Sequence, residues 1–133
     1  MKTFKCHKIS EGRAEGPAII STDDVMFYLI NPDTGVVIEE GHSLEHKSIA
    51  HKIMIFPSGK GSSVVQADGL FQLMKHKNQP LGMIVEHPDT VLVTSAILFE
   101  VPMVDKVDPA FYETVKEGDT VVIDADAETV SIL

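Results

Sequence analysis

Short apolar runs, separated by Gly, Pro and Asn/Asp clusters, alternate along this chain with one segment whose apolar positions recur at helical steps. Residues 3–9 alternate weakly, with Phe4, Cys6 and Ser10 on one side and Lys5, His7 and Glu11 on the other, which predicts a first strand. Gly12, Gly16 and Pro17 break the pattern, and residues 18–21 read as a short second strand. Residues 25–30 are rich in β-favouring types and predict a third strand, stopped by the turn chemistry of Asn31-Pro32-Asp33-Thr34-Gly35. Residues 36–38 resume the sheet, and the polar stretch 42–50 is a loop.

An apolar strand over 52–56 ends at Pro57-Ser58-Gly59-Lys60-Gly61. The period then changes: Val64, Ala67, Leu70, Phe71 and Met74 mark one face of a helix, with Lys75, His76 and Lys77 near its negative end. Residues 81–85 are a buried-type strand, closed by His87-Pro88-Asp89. Residues 90–99 predict a short helix running into a strand at 98–101, and 109–116 a second short helix opened by Pro109. Residues 120–123 and 129–133 pair as a C-terminal hairpin. If 52–56 and 81–85 pair in parallel, the helix between them is their right-handed crossover. The expectation is a strand-rich α+β domain of β/β/α type with one main central helix, one domain spanning 1–133.

Composition narrows the partners. With 133 residues and 44% hydrophobic content the chain carries enough apolar surface for a packed core. Its 20 Asp and Glu outweigh 11 Lys and Arg, a formal charge of −9, which argues against a nucleic-acid or anionic-membrane binder. The longest apolar run, 25–30, is far short of the roughly 20 residues of a membrane span. The first eight residues also lack the apolar core of a signal peptide, so the expected location is the cytoplasm. One cysteine, Cys6, excludes an internal disulfide and a four-thiolate metal site built from this chain alone.

The segment most suited to chemistry is Gly59-Lys60-Gly61-Ser62-Ser63, between a strand end and a helix start. Glycines let the backbone approach a ligand closely, and the first helical N–H groups have no partners of their own. Serines here either cap the helix or present hydroxyls beside a ready-made anion site. The order is not that of a Walker loop, because Lys60 precedes the second glycine.

That run resembles the glycine-serine loop of the swivelling domain of aconitase-type dehydratases, and more closely that of the aconitase X family small subunit. The resemblance spans nearly the whole chain. It includes Gly12-Arg13-Ala14-Glu15-Gly16, Asp33-Thr34-Gly35, Ile55-Phe56-Pro57, Ala96 with Pro102, and Gly118-Asp119. It implies a swivelling β/β/α domain docked on a larger subunit that carries a [4Fe-4S] cluster and most of the substrate pocket. The implied reaction is a dehydration, converting (R)-5-phosphomevalonate to trans-anhydromevalonate 5-phosphate in an archaeal mevalonate pathway. Carried over by position, Ser62 is the implied proton acceptor, with Ser63, Gly61, Lys60 and Arg13 as substrate contacts. One departure stands out: in ordinary aconitases an arginine that holds a substrate carboxylate follows the serine pair, and here Val64 stands in that place. A citrate-like substrate is therefore disfavoured. Relatives that dehydrate cis-3-hydroxy-L-proline are an alternative within the family.

The implied chemistry sets its own demands. A serine hydroxyl is a weak base, and a helix N-terminus stabilises a neighbouring anion by at most about 2 kcal/mol. Lys60 or groups of the partner must supply the remainder. A cluster needs about three or four thiolates, which Cys6 alone cannot provide, so the isolated chain is expected to be inactive.

Other residues read more plainly. His42, His46 and His51, near Glu39, Glu40 and Glu45, lack the spacing of a zinc site and are expected to be solvated loop histidines. A serine-hydrolase triad lacks its Gly-x-Ser-x-Gly elbow. A phosphohistidine-type carrier domain, the rival from another class, needs a histidine where this loop has serines. Cys6 reads as a small hydrophobe, Asp23 and Asp24 as a polar turn, and Met54, Met74, Met83 and Met103 as core filler.

Overall fold

The computed structural model describes residues 1–133. Four strands run parallel at its centre: β3 (Arg13–Ile20), β4 (Ile53–Phe56), β5 (Gly82–Val85) and β6 (Met103–Asp105). Helix α1 (Ser63–Lys75) crosses from β4 to β5, and α2 (Thr90–Leu98) from β5 to β6. The remaining strands are antiparallel: β1 (Lys2–Lys5) on β8 (Thr129–Ile132), β7 (Thr120–Asp124) between β8 and β3, and β2 (His7–Ser10) on β6. A short helix α3 (Pro109–Thr114) leads from β6 toward β7. The strand order is β1-β8-β7-β3-β4-β5-β6-β2.

Its two ends, β1 and β2, are separated by Cys6 alone, so the sheet must curl until its edges meet. Cys6 N–H donates to the Glu128 carbonyl at 3.0 Å at that corner. Closure leaves no long strand edge open to pair with another chain. The first strand expected from the sequence is thus real but serves two edges.

Strand alternation sorts the side chains into two cores. Ile53 and Ile55 of β4 join Ile84, Val104, Phe111, Ile123 and Val130 inside the curled sheet. Met54 and Phe56 face the other way, with Met83, Val85, Leu70, Leu73 and Leu92 under the helices. Every residue of β4 and β5 is buried, as in parallel strands covered on both faces. The result is the three-layer β/β/α arrangement, with two substantial helices rather than one.

Four expectations are corrected. Residues 25–30 do not form a strand; Phe27–Leu29 is a 3-10 turn, flanked by single bridges at Val25 and Ile30. Val25, Phe27 and Ile30 are buried in the core under the helices, where Phe27 meets Phe56 of β4 edge-on with ring centres 6.1 Å apart, whereas Tyr28 is exposed. Residues 36–38 make only isolated bridges, with Ile30, Glu45 and Ser48. The break at Gly16-Pro17 is absent: both lie within β3, where Pro17, which has no N–H to donate, stands opposite Thr120 at the end of the β7 ladder. The strand expected at 98–101 falls instead at Met103–Asp105, after α2 has run through Leu98.

The face of α1 also differs from the expected stripe. Its buried residues are Gln66, Gly69, Leu70 and Leu73, whereas Val64 is 77% exposed and Phe71 half-exposed. Gly69 explains the rotation. A Cβ there would lie 2.4 Å from the Phe27 carbonyl carbon and the Tyr28 nitrogen, so the helix backbone rests directly on the 3-10 turn.

Candidate functional site

The parallel strands β3 to β6 all end at the same side of the sheet, where open α/β folds bind ligands. The loop from β4 to α1 leaves from that side and is tied down at several points. Pro57 O accepts from the N–H groups of Glu86 and His87, at 3.1 and 2.8 Å. Ser58 O accepts from Val25 N–H, and Lys60 N–H donates to Val25 O. Gly61 takes a φ of 104°, a backbone shape that side chains disfavour, and so turns the chain into the helix.

Ser62 then occupies the N-cap position of α1 with extended backbone angles, φ −69° and ψ 159°. Its carbonyl accepts the first helical bond, from Gln66 N–H at 3.0 Å. Its hydroxyl makes no capping bond, although serine is favoured at this position for that bond. Ser62 and Ser63 are both exposed. The N–H groups of Ser63, Val64 and Val65 precede the first i→i−4 bond, so they face outward beside these hydroxyls. An uncommitted hydroxyl thus sits at the positive end of a 13-residue helix.

Lys60 and Glu39 close one flank, with Nζ 2.6 Å from Oε2. Both side chains are partly buried, and the ammonium donates to this carboxylate. Lys60 is therefore beside the serines but already paired. On the opposite flank Gln66, which is 4% exposed, donates from Nε2 to Gly61 O at 3.1 Å. Asp89 caps α2 by accepting at Oδ1 from the N–H groups of Val91 and Leu92.

Arg13 is not brought to this place. It lies in the part of β3 that pairs with Asp124 of β7, before β3 meets β4 at Ala18–Ile53. Strand rise puts it roughly 25 Å below the level of Phe56 along the parallel strands. Its guanidinium lies 3.7 Å from Glu15, on an exposed surface. Within this chain Lys60, Gly61, Ser62 and Ser63 form one group and Arg13 stands apart.

The histidines separate as well. His42 is 7% exposed rather than solvated: its Nε2 meets Asp24 O at 2.8 Å and its Nδ1 accepts from Leu44 N–H at 2.9 Å. It knits the loop 36–50 to the end of β3. His46 and His51 are exposed, as expected. Asp23 accepts from Ser43 N–H at 2.9 Å, and chiefly through that bond its carboxyl is held below the usual aspartate range. No three His, Cys, Asp or Glu side chains converge in a metal-ligating arrangement, and Cys6 is the chain's one cysteine. The residues of this chain do not fit an iron–sulfur cluster.

Cys6 lies at the closure of the sheet, and Tyr112 of α3 packs against the core inside it. Burial, with Glu128, Asp105 and Asp124 nearby, pushes the Cys6 thiol up to about 11. Burial, with Glu86 and Asp105, pushes the Tyr112 phenol up to about 12.

Sequence reasoning missed Gln66 and Asp89. One signal was present: Gln66 lies one helical turn before Leu70 and two before Leu73, a polar residue on an otherwise apolar face.

Known proteins match the chain over nearly its full length. The model of the aconitase X swivel domain matches residues 3–132. The phosphomevalonate dehydratase small subunit of Methanocella arvoryzae is 40% identical over 130 residues, covering 97% of this chain and 98% of that protein. The protein of the same name from Methanosarcina mazei is 39% identical, over 98% of this chain and 90% of its own length. Among solved structures, aconitase X of Thermococcus kodakaraensis in its holo-form superposes with a TM-score of 0.90 at 37% identity, covering 100% of this chain and 99% of that one. A match that spans both cores and the serine loop leaves one conclusion: the chain belongs to the aconitase X swivel-domain family.

Proposed function

We propose that this chain is the small subunit of a phosphomevalonate dehydratase. In this reading it docks on a larger subunit and contributes the hydroxyl that takes the substrate proton as water is lost from (R)-5-phosphomevalonate. The observation that carries the reading is the Ser62 hydroxyl, exposed and without a bond at the N-terminus of α1. Near-full-length identity of about two in five to relatives named for that activity supports the choice of substrate.

Each residue has a part in the chain's share of the work. The free N–H groups of Ser63, Val64 and Val65 attract an anionic substrate and stabilise negative charge on Ser62. Ser63 adds a hydroxyl beside them, and Gly61 lets the substrate approach the backbone. Lys60 provides a cation whose charge Glu39 partly offsets. The helix end supplies at most about 2 kcal/mol, little more than one unit of pKa. Full activation of Ser62 therefore depends on the partner.

The [4Fe-4S] cluster implied by the family resemblance belongs, in this reading, to the larger subunit. In this reading the chain works in the cytoplasm, where a phosphorylated substrate is retained because it does not cross membranes unaided. The test is to mix the purified chain with the larger subunit and assay the loss of water from phosphomevalonate. The mixture should turn over and the chain alone should not; turnover by the chain alone contradicts the reading.

A further inference from the structure

Two buried oxygens meet beneath the serine loop, and no donor of the chain reaches either of them. Gln66 Oε1 is one and Asp89 Oδ2 the other. They flank the same point: a Cβ on Gly59 would stand 2.4 Å from Gln66 Oε1 and 2.8 Å from Asp89 Oδ2. The opposite end of each side chain is committed. Gln66 Nε2 donates to Gly61 O, and Asp89 Oδ1 caps α2. The pair thus joins three elements: the peptide leading into Ser62, the first turn of α1 and the start of α2.

A buried acceptor left unpaired is costly, and a carboxylate oxygen costs more than an amide one. A packing role alone would be served by leucine, which has nearly the volume of glutamine. Two acceptors facing one spot are reconciled by one donor placed between them.

We propose that Gln66 and Asp89 are positioning residues for Ser62: one buried water, donating an O–H to Oε1 and its other O–H to Oδ2, locks the Gln66 amide onto Gly61 O and so aims the serine hydroxyl. A Cβ on Gly59 would push one or both of these side-chain oxygens aside, and the glycine lets the loop lie against both. The proposal rests on the catalytic reading of Ser62.

The test combines the two-subunit complex with amide exchange in the full chain. Gln66→Leu removes the hold on Gly61. It should speed exchange of the Lys60 amide, the loop N–H that donates to Val25 O, by about tenfold, the scale of one hydrogen bond, and lower kcat by at least about tenfold with KM within about threefold. Asp89→Ala should do the same. Asp89→Asn keeps the α2 cap and offers an amide N–H to Gln66 Oε1 in place of the shared donor, so loop protection should return to that of the parent chain. The proposal is overturned if Gln66→Leu leaves loop exchange and kcat unchanged, or if Asp89→Asn behaves like Asp89→Ala. A Ser62→Ala complex run alongside separates the two ideas: if that variant keeps its turnover, the catalytic reading has failed, whereas loop exchange still reports on Gln66 and Asp89.

Discussion

Lys60 Nζ sits 2.6 Å from Glu39 Oε2, so the cation nearest the exposed serines shares its charge with a carboxylate 21 positions earlier in the chain. Both side chains are partly open to solvent, and the pair contributes at most about 1 kcal/mol to stability. Its greater effect is on an incoming anion. Removing the carboxylate in Glu39→Gln leaves Lys60 unopposed and should lower KM for the phosphorylated substrate a few-fold. Lys60→Met should raise it. Steady-state kinetics of the two complexes checks this, and equal KM values in both variants contradict it.

Gly69 offers a packing test in which local propensity and tertiary contact disagree. Alanine is the better helix former by about 1 kcal/mol. A Cβ at this position, however, would press on the backbone of Phe27 and Tyr28, 2.4 Å away, and backbone yields less readily than a side-chain tip. Gly69→Ala should therefore destabilise the chain, by about 1–3 kcal/mol. Denaturant unfolding measures it, and a gain in stability contradicts the close approach.

The alkaline limb of stability follows from Cys6 and Tyr112. Both hold their protons more tightly folded than unfolded, with thiol and phenol raised to about 11 and about 12. Below the unfolded values of 9.0 and 10.0 the two states bind these protons alike and no stability is lost. Above them the unfolded chain releases protons that the folded chain keeps, so stability falls as pH rises from about 9 toward 11. Cys6→Ala should flatten the lower part of that fall. Thiol alkylation at pH 8 should also run about a hundredfold slower in the folded chain than in the unfolded one, since two units of pKa separate their thiolate fractions.

Much of the fold is legible where local signals and burial agree. The segment 52–85 is such a place: apolar runs buried on both faces, Gly and Pro at the exits, and a helical period between. The C-terminal hairpin is another, since Asp124 to Glu128 has turn chemistry between two short β-favouring runs, the second of which alternates. The failures have one physical origin. Residues 25–30 look like a strand because they are apolar, yet their burial comes from contact with Gly69 of α1, some 40 positions away, which nothing local announces. The same contact rotates α1, which exposes Val64 and buries Gln66.

The site divides in a similar way. The loop Gly59-Lys60-Gly61-Ser62-Ser63 is legible as a strand-to-helix turn, with its serines left open between a helix cap and hydroxyls beside an anion site. That the Ser62 hydroxyl is spared from capping depends on its orientation in the loop, which composition does not encode. Arg13 is misleading because a lone arginine attracts attention, while the register of β3 against β4 carries it to the far end of the strands. His42 looks like a solvated loop residue but bonds at both ring nitrogens to backbone atoms of Asp24 and Leu44.

Ser62 also separates catalysis from stability more cleanly than any neighbour. Its hydroxyl makes no bond within the chain, so Ser62→Ala should shift unfolding by less than about 0.5 kcal/mol. Asp89→Ala, which removes a cap with two backbone donors, should cost about 1 kcal/mol. A large loss of stability in the serine variant contradicts the free hydroxyl.

The most direct measurement is the turnover of phosphomevalonate by the two-subunit complex carrying Ser62→Ala, with assembly followed by size exclusion. A variant that assembles normally yet turns over slower by at least about a thousandfold is the predicted result, on the scale of losing an essential proton-transfer group. A variant that assembles and dehydrates the substrate within a few-fold of the parent contradicts the account.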